Sequence, residues 1–372
     1  MKRDKLHFRW NKQLSYEKLW NFAIGERESG KTVDSWFLIW NAFHYKGRPS
    51  VVFRRRIADM SSTYIDDVQN VLNKFLEEPI ELHYLKGDIK NGIVDIKCCE
   101  AGRNPSYAAI KKMPTFFRLI GLSNPMNRIK SMCLPDVRYF FFDEFIANIR
   151  GGEKYLASDE HFLIKECYNT YNREASTPIT ILAAGNPYSV YNPIFAGLGV
   201  DTSKVKAGNF IVGPNYTINC FKLPQTLKDQ ILKSNPLYQF DDAYKKYAFD
   251  GEAINDQNIR LQKHEPRGFK LKVVFKVGNE FLSIHSGPAI EKDGEPYTFW
   301  VCKHDASWLG KVSKHRKILV LNFKDMIVGS VKLDGDTAKG LSILRMAMDT
   351  RRVTFNCVDA HYMLEDIYPT IY

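Results

Sequence analysis

Cysteine is scarce in this chain: seven are spread over 372 residues, an odd number, with no C-x-x-C pair among them. That argues against a disulfide-stapled secreted domain and suits free thiols in a reducing compartment. Cys98-Cys99, adjacent in a strand-like run, reads as packing. No apolar run approaches the roughly 20 residues of a membrane-spanning helix. The charged start Met1-Lys2-Arg3-Asp4 is not a secretory leader, so an intracellular protein with no membrane association is expected. Acidic residues are outnumbered, 42 against 53 Lys and Arg, which leaves a net charge of +11 and a pI near 9.1. Such an imbalance favours a polyanionic partner, nucleic acid first. Repeats and low-complexity tracts are also missing. What remains is 44% hydrophobic and 26% charged, with length enough for two separately buried cores.

Against this plain background one segment stands out. Gly25-Glu26-Arg27-Glu28-Ser29-Gly30-Lys31-Thr32 is a complete G-x-x-x-x-G-K-[ST] phosphate-binding loop. Its glycines let the backbone curl so that successive N–H groups converge on phosphate oxygens. Lys31 is expected on the β- and γ-phosphates of ATP, and Thr32 on Mg²⁺. A helix opening at Lys31 adds the positive end of its dipole. The flanks suit the motif: Asn21–Ile24 reads as a buried strand and Val33–Phe43 as a helix packed on a sheet.

Further apolar runs read as buried strands: Ser50–Arg54, Thr115–Leu122, Arg138–Glu144 and Ile179–Ala184. Two shorter ones are His83–Leu85 and Ile93–Cys98. Helical spacing covers Ile57–Leu76 and His161–Arg173. Strands alternating with helices predict an α/β fold, a mostly parallel sheet covered on both faces. The run Phe140-Phe141-Phe142-Asp143-Glu144 supplies the second chemical signal. Its aromatics keep the strand buried and bring two carboxylates out at its end. Asp143 is placed to hold the water shell of Mg²⁺, and Glu144 to deprotonate the attacking water. An immediate Asp-Glu pair marks the ASCE type of P-loop NTPase. Asn186, just after the next strand, is a candidate for the γ-phosphate, although Asn-Pro is also a common turn starter. Arg27, inside the loop, is within reach of phosphate and Glu144. Arg54-Arg55-Arg56 ends a strand near the same edge. Lys130 and Arg173 are candidates for reaching a neighbouring subunit's nucleotide.

After Phe210 the composition changes. Pro214, Pro224 and Pro236 punctuate a polar stretch that reads as a linker over 211–258, with some helix at Asp241–Phe249. The expected domains are thus 1–210, 211–258 as linker, and 259–372. The last is a smaller α+β domain with strands at Lys272–Lys276, Phe281–His285, Thr298–Cys302, Ile318–Phe323 and Arg352–Cys357, and a helix at Ala338–Met348. Lys311, Lys314, His315, Arg316 and Lys317 form its densest basic patch, suited to phosphate backbones rather than base edges.

Taken together, Leu14-Ser15-Tyr16, Asn21–Arg27, Phe53-Arg54-Arg55, Phe142-Asp143-Glu144-Phe145-Ile146 and Asn192-Pro193-Ile194-Phe195 resemble the DNA-packaging ATPases of phi-twenty-nine-like small podoviruses. The resemblance spans most of residues 12–200. It implies a homo-oligomeric ring motor, of five subunits, that drives double-stranded DNA into a preformed capsid. It further implies docking on the phage portal through a structural packaging RNA, in the host cytoplasm, with the protein lost from the mature virion. The second domain would resemble a vestigial ribonuclease-H-like nuclease. Lys31, Thr32, Asp143 and Glu144 carry hydrolysis by transfer, and Lys130 matches the family's trans-acting lysine. Two departures stand out. Glu26 and Glu28 put negative charge where the family has small residues. The family's trans-acting arginine falls at Tyr171, and Arg173 lies two positions on. The residues agree on the absence of nuclease chemistry: Lys272–Val277 carries no acid, and Asp305, Asp334 and Asp336 sit in polar or turn-like segments. Two competing readings remain: a cellular helicase or recombination ATPase, and a nucleotide-regulated nucleic-acid-binding protein with little turnover.

Overall fold

A computed structural model describes residues 6–148, 153, 155, 156, 160–188, 192–201, 204–234, 262–277, 280–292, 295–305, 307, 308, 320–322, 353–357, 360, 361, 363 and 364. The chain divides into two compact units. The first takes residues 1–146, 162–187 and 204–251, and the second takes 147–161, 188–203 and 252–372.

Nine strands build the sheet of the first unit: β1 (Trp20–Gly25), β2 (Ser50–Arg54), β3 (Ile80–His83), β4 (Ile93–Glu100), β5 (Thr115–Gly121), β6 (Tyr139–Asp143), β7 (Thr180–Gly185), β8 (Phe210–Val212) and β9 (Tyr216–Phe221). Their order is β3-β4-β5-β2-β6-β7-β1-β9-β8. The six from β5 to β9 in that order are mutually parallel, and antiparallel strands close both edges. β1 is buried along its whole length, as a central parallel strand must be.

The aromatics of β6 show how the layers form. Successive side chains of a strand point to opposite faces. Phe141 meets Trp36 of helix Lys31–Lys46 edge-on at 5.8 Å. Phe140 meets Tyr171 of helix Glu160–Tyr171 at 5.6 Å. Each fully buried ring contributes about 1.5–3 kcal/mol from burial. Helices therefore cover both faces, as alternating strand and helix patterns predict.

Several elements differ from expectation. Ile57–Leu76 is not one helix: a 3₁₀ turn at Ile57–Asp59 precedes a helix at Ser62–Asn73. The break falls at extended Met60 and at Ser61, whose hydroxyl accepts the Tyr64 N–H at 3.1 Å as a helix cap. The strand expected at His83–Leu85 lies earlier, at Ile80–His83. The linker expected from 211 is the larger correction. β9 pairs in parallel with β1 from Trp20↔Tyr216 to Gly25↔Phe221, and helix Gln225–Ser234 follows it. Segment 216–234 therefore belongs to the first unit. The helix expected at Asp241–Phe249 lies outside the described residues.

In the second unit β10 (Lys270–Val277), β11 (Glu280–Lys292) and β12 (Glu295–His304) form an antiparallel meander. β13 (Val320–Asn322) runs parallel to β10, and β14 (Val353–Phe355) parallel to β12. Polar groups buried in this sheet satisfy one another. His285 Nδ1 lies 2.7 Å from Glu265, its Nε2 3.0 Å from Ser283 Oγ, and that hydroxyl 2.7 Å from His304 Nε2. Burial and the neighbouring His285 push the His304 pKa down to about 4. Asp305 accepts from the Ser307 N–H and hydroxyl in a local turn. Asp334, Asp336, the basic patch at 311–317 and the helix expected at Ala338–Met348 lie outside the described residues. Among the described residues no helix is long and apolar enough to cross a membrane.

Candidate active site

Parallel strands put their carboxyl ends at one edge, where ligands bind in open α/β sheets. Here that edge collects the end of β1 with its loop, the end of β6 with Asp143 and Glu144, the end of β7 with Asn186, and the end of β2 with Arg54. β7 lies between β1 and β6, and register pairs Ile24 with Gly185 and Asp143 with Ala184.

The loop has the backbone its motif demands. Gly30 adopts φ 87° and caps helix Lys31–Lys46, and a Cβ there would come within 3.1 Å of the His7 side chain. Glu28 also lies in the left-handed region, at φ 61°. Ser29 is buried, and its carbonyl accepts the Phe8 N–H at 2.9 Å. The preceding segment is fastened to the same helix. Asp34 accepts from Arg9 Nη1 at 3.0 Å and the Trp10 N–H at 2.9 Å, and Trp10 Nε1 donates to Ser35.

Lys31 is buried, with its ammonium donating to the carbonyls of Gly25 (2.8 Å) and Glu26 (2.9 Å) and to Ser29 Oγ (2.9 Å). Burial lowers its pKa to about 8, against the pull of Glu26 and Asp143. Thr32 Oγ1 donates to Asp143 Oδ1 at 3.2 Å. A hydroxyl and a carboxylate are thus held together where the motif places Mg²⁺, which fits the expected ion. Few protein ligands are needed, because Mg²⁺ keeps waters and takes phosphate oxygens for the rest. Burial and the adjacent Glu144 raise the Asp143 pKa to about 6, restrained by Arg54, Thr32 and Tyr64.

Glu144 leaves the strand at φ 57°, a left-handed conformation that costs a residue with a side chain about 1–2 kcal/mol. Arg55 secures that turn by donating to the carbonyls of Glu144 and Phe145, the latter at 2.7 Å. The Glu144 side chain is half exposed and ion-paired to Arg54 Nη2 at 2.8 Å, while Arg54 Nη1 lies 3.5 Å from Asp143. Tyr64 donates to Asp143 at 3.4 Å, and burial raises its pKa well above the phenol value, so it stays protonated. Sequence reading noticed Arg54 only as part of a basic cluster and missed Tyr64. Strand register brings Arg54 there: Phe53 pairs with Phe142, which sets Arg54 beside Asp143.

The remaining candidates separate. Arg27 is exposed on the loop. Asn186 is half-buried beyond the end of β7. Lys130 sits on helix Met126–Ser131 in an ion pair with Glu166. Tyr171, at the family's arginine position, is wholly buried. Arg173 is exposed in the 3₁₀ turn Asn172–Glu174, whose Glu174 carbonyl accepts the Asp136 N–H just before β6 begins. Arg173 therefore lies at the opposite edge of the sheet from its own phosphate loop. Glu26 is buried, with Oε2 accepting the Leu223 N–H at 2.7 Å and Oε1 3.0 Å from Lys228 Nζ. Of the loop's two extra negative charges, that of Glu26 is thereby paired.

No protein-family model matches the chain. No curated protein matches it in sequence. Among solved structures it is similar to the Phi-28 gp11 DNA packaging motor, at 16% identity and a TM-score of 0.55, covering 99% of this chain and 98% of that one. It is also similar to the bacteriophage Phi-29 viral genome packaging motor assembly, at 17% identity and a TM-score of 0.51, covering 99% of this chain and 100% of that one. The first unit thus has an α/β fold of the P-loop type, and the fold of the chain is similar to that of these solved structures.

Proposed function

We propose that this protein is a Mg²⁺-dependent ATPase that drives double-stranded DNA into a phage procapsid. The observation that carries the reading is the Thr32–Asp143 hydrogen bond at 3.2 Å, with Glu144 next in sequence at the same sheet edge. The packaging context comes from the two similar structures, both of phage packaging motors.

In this reading the N–H groups of Gly25–Thr32 and the Lys31 ammonium bind the phosphates. Thr32 and Asp143 hold Mg²⁺, which supplies charge neutralisation at the phosphate oxygens when bound. Glu144 takes the proton of the attacking water, and this requires its carboxylate to turn from Arg54. Arg54 is then freed to compensate charge at the same edge. Arg27 and Asn186 orient phosphate and water. Lys130 and Arg173 act on a neighbouring subunit's nucleotide, for which Arg173 is exposed away from its own loop. A homo-oligomeric ring, a pentamer by the family resemblance, is the assembly that would bring those residues to a neighbour's nucleotide. Portal docking through a packaging RNA, a second unit without nuclease activity, and action in the host cytoplasm complete the proposal.

Steady-state ATP hydrolysis with and without double-stranded DNA tests it, on the parent and Glu144→Gln proteins. DNA-stimulated turnover that the substitution abolishes is the expected result. Equal turnover by the two proteins would remove Glu144 as the base and overturn the mechanism.

A further inference from the structure

The buried pair Glu26–Lys228 has no part in the mechanism above, yet it grips the phosphate loop. Glu26 is the loop's second residue. Its carboxylate reaches the N–H of Leu223 and the ammonium of Lys228, in the first turn of helix Gln225–Ser234. Both side chains are more than nine-tenths buried. The root of the loop is equally close: a Cβ on Gly25 would lie 2.6 Å from the Phe221 carbonyl. Leu223, Leu227 and Ile231 pack together and fix the helix at this end of β9.

A buried ion pair responds strongly to a third charge, because little water screens it. Phosphate arriving in the loop repels Glu26 and attracts Lys228, so both partners respond to the same event in opposite senses. Lys31 already feels Glu26 in the resting loop. Resting on the nucleotide-binding reading, we propose that Glu26 and Lys228 are positioning residues that couple phosphate occupancy of the loop to helix Gln225–Ser234. The helix is thereby made a sensor of nucleotide state.

The test separates coupling from mere support. Glu26→Gln keeps an acceptor for the Leu223 N–H and removes the negative charge facing Lys228. Lys228→Met keeps the aliphatic stem and removes the ammonium facing Glu26. Calorimetric titration with Mg-ATPγS should show binding about tenfold tighter for Glu26→Gln and about tenfold weaker for Lys228→Met. The double variant should fall between them. A purely structural pair moves both single variants in one direction or neither, and that outcome overturns the proposal. Hydrogen exchange supplies the second readout. Amides across 225–234 should change protection when Mg-ATPγS is added to the parent, and should not in the double variant. Persistence of the response in the double variant also overturns it. Failure of the nucleotide reading looks different: the parent would not bind Mg-ATPγS at all, and Lys31→Met would be indistinguishable from it.

Discussion

Lys31 is held in the folded chain against its own desolvation, and that has a measurable proton linkage. Burial lowers its pKa from 10.5 to about 8. A lysine with a depressed folded pKa favours folding in its neutral form. That contribution is complete above 10.5 and is lost as pH falls through about 8. The two pKa values imply that the parent gains about 2 kcal/mol of stability from this group between about pH 7 and about pH 9.5. Lys31→Met keeps a similar stem and has no proton to release, so it gains nothing from this source. Effects of the substitution that do not depend on this proton are the same at both pH values and cancel in the difference. Urea unfolding, followed by fluorescence of the buried Trp10, Trp20 and Trp36, gives the free energy of each protein at each pH. The parent-minus-variant difference should rise by about 2 kcal/mol across the range. Parallel pH dependences for the two proteins would refute the argument that burial strains this ammonium.

Other substitutions have equally definite outcomes. Glu144→Gln should lower turnover at least about 100-fold while keeping nucleotide affinity close to the parent's, because it removes the base and leaves the loop intact. In kcat/KM, which reports the enzyme before Mg-ATP binds, the parent should fall as pH drops through about 6, where Asp143 takes up its proton. Arg54→Ala removes the charge that restrains this shift, so the acid limb of the rate profile should move to higher pH. An unmoved limb would show that Arg54 does not act on Asp143. Phe141→Ala should cost about 3–5 kcal/mol in unfolding measurements, as expected for an aromatic buried between layers.

The phosphate loop and the β6 carboxylates were legible because each lies in one short run whose pattern fixes both conformation and chemistry. The same holds for Ser50–Arg54, which starts and stops as read. Arg54 was not legible as a partner of Glu144, because their meeting depends on how β2 registers against β6. β9 escaped for another reason: Tyr216-Thr217-Ile218-Asn219-Cys220-Phe221 mixes polar with apolar residues and lies between Pro214 and Pro224. Its Thr217 is buried all the same, donating to Asn21 Oδ1 at 2.9 Å inside the sheet. The charge on Glu26 looked unfavourable for phosphate until its partners emerged, one of them 197 residues away. Local pattern marks the groups assigned to phosphate, and long-range pairing decides what compensates them.

That long-range pairing also sets a timetable for making the protein. β1 is flanked by β7 and β9, and the Asn21–Thr217 bond joins residues 196 apart in the chain. At about 5–20 residues per second, a ribosome delivers Thr217 roughly 10–40 s after Asn21. Throughout that interval a strand buried along its whole length in the finished sheet has an open side, and the phosphate loop hangs from an unsupported end. A nascent chain released before β9 emerges therefore exposes an apolar parallel strand, the kind of surface that chaperones bind and that aggregates when they do not.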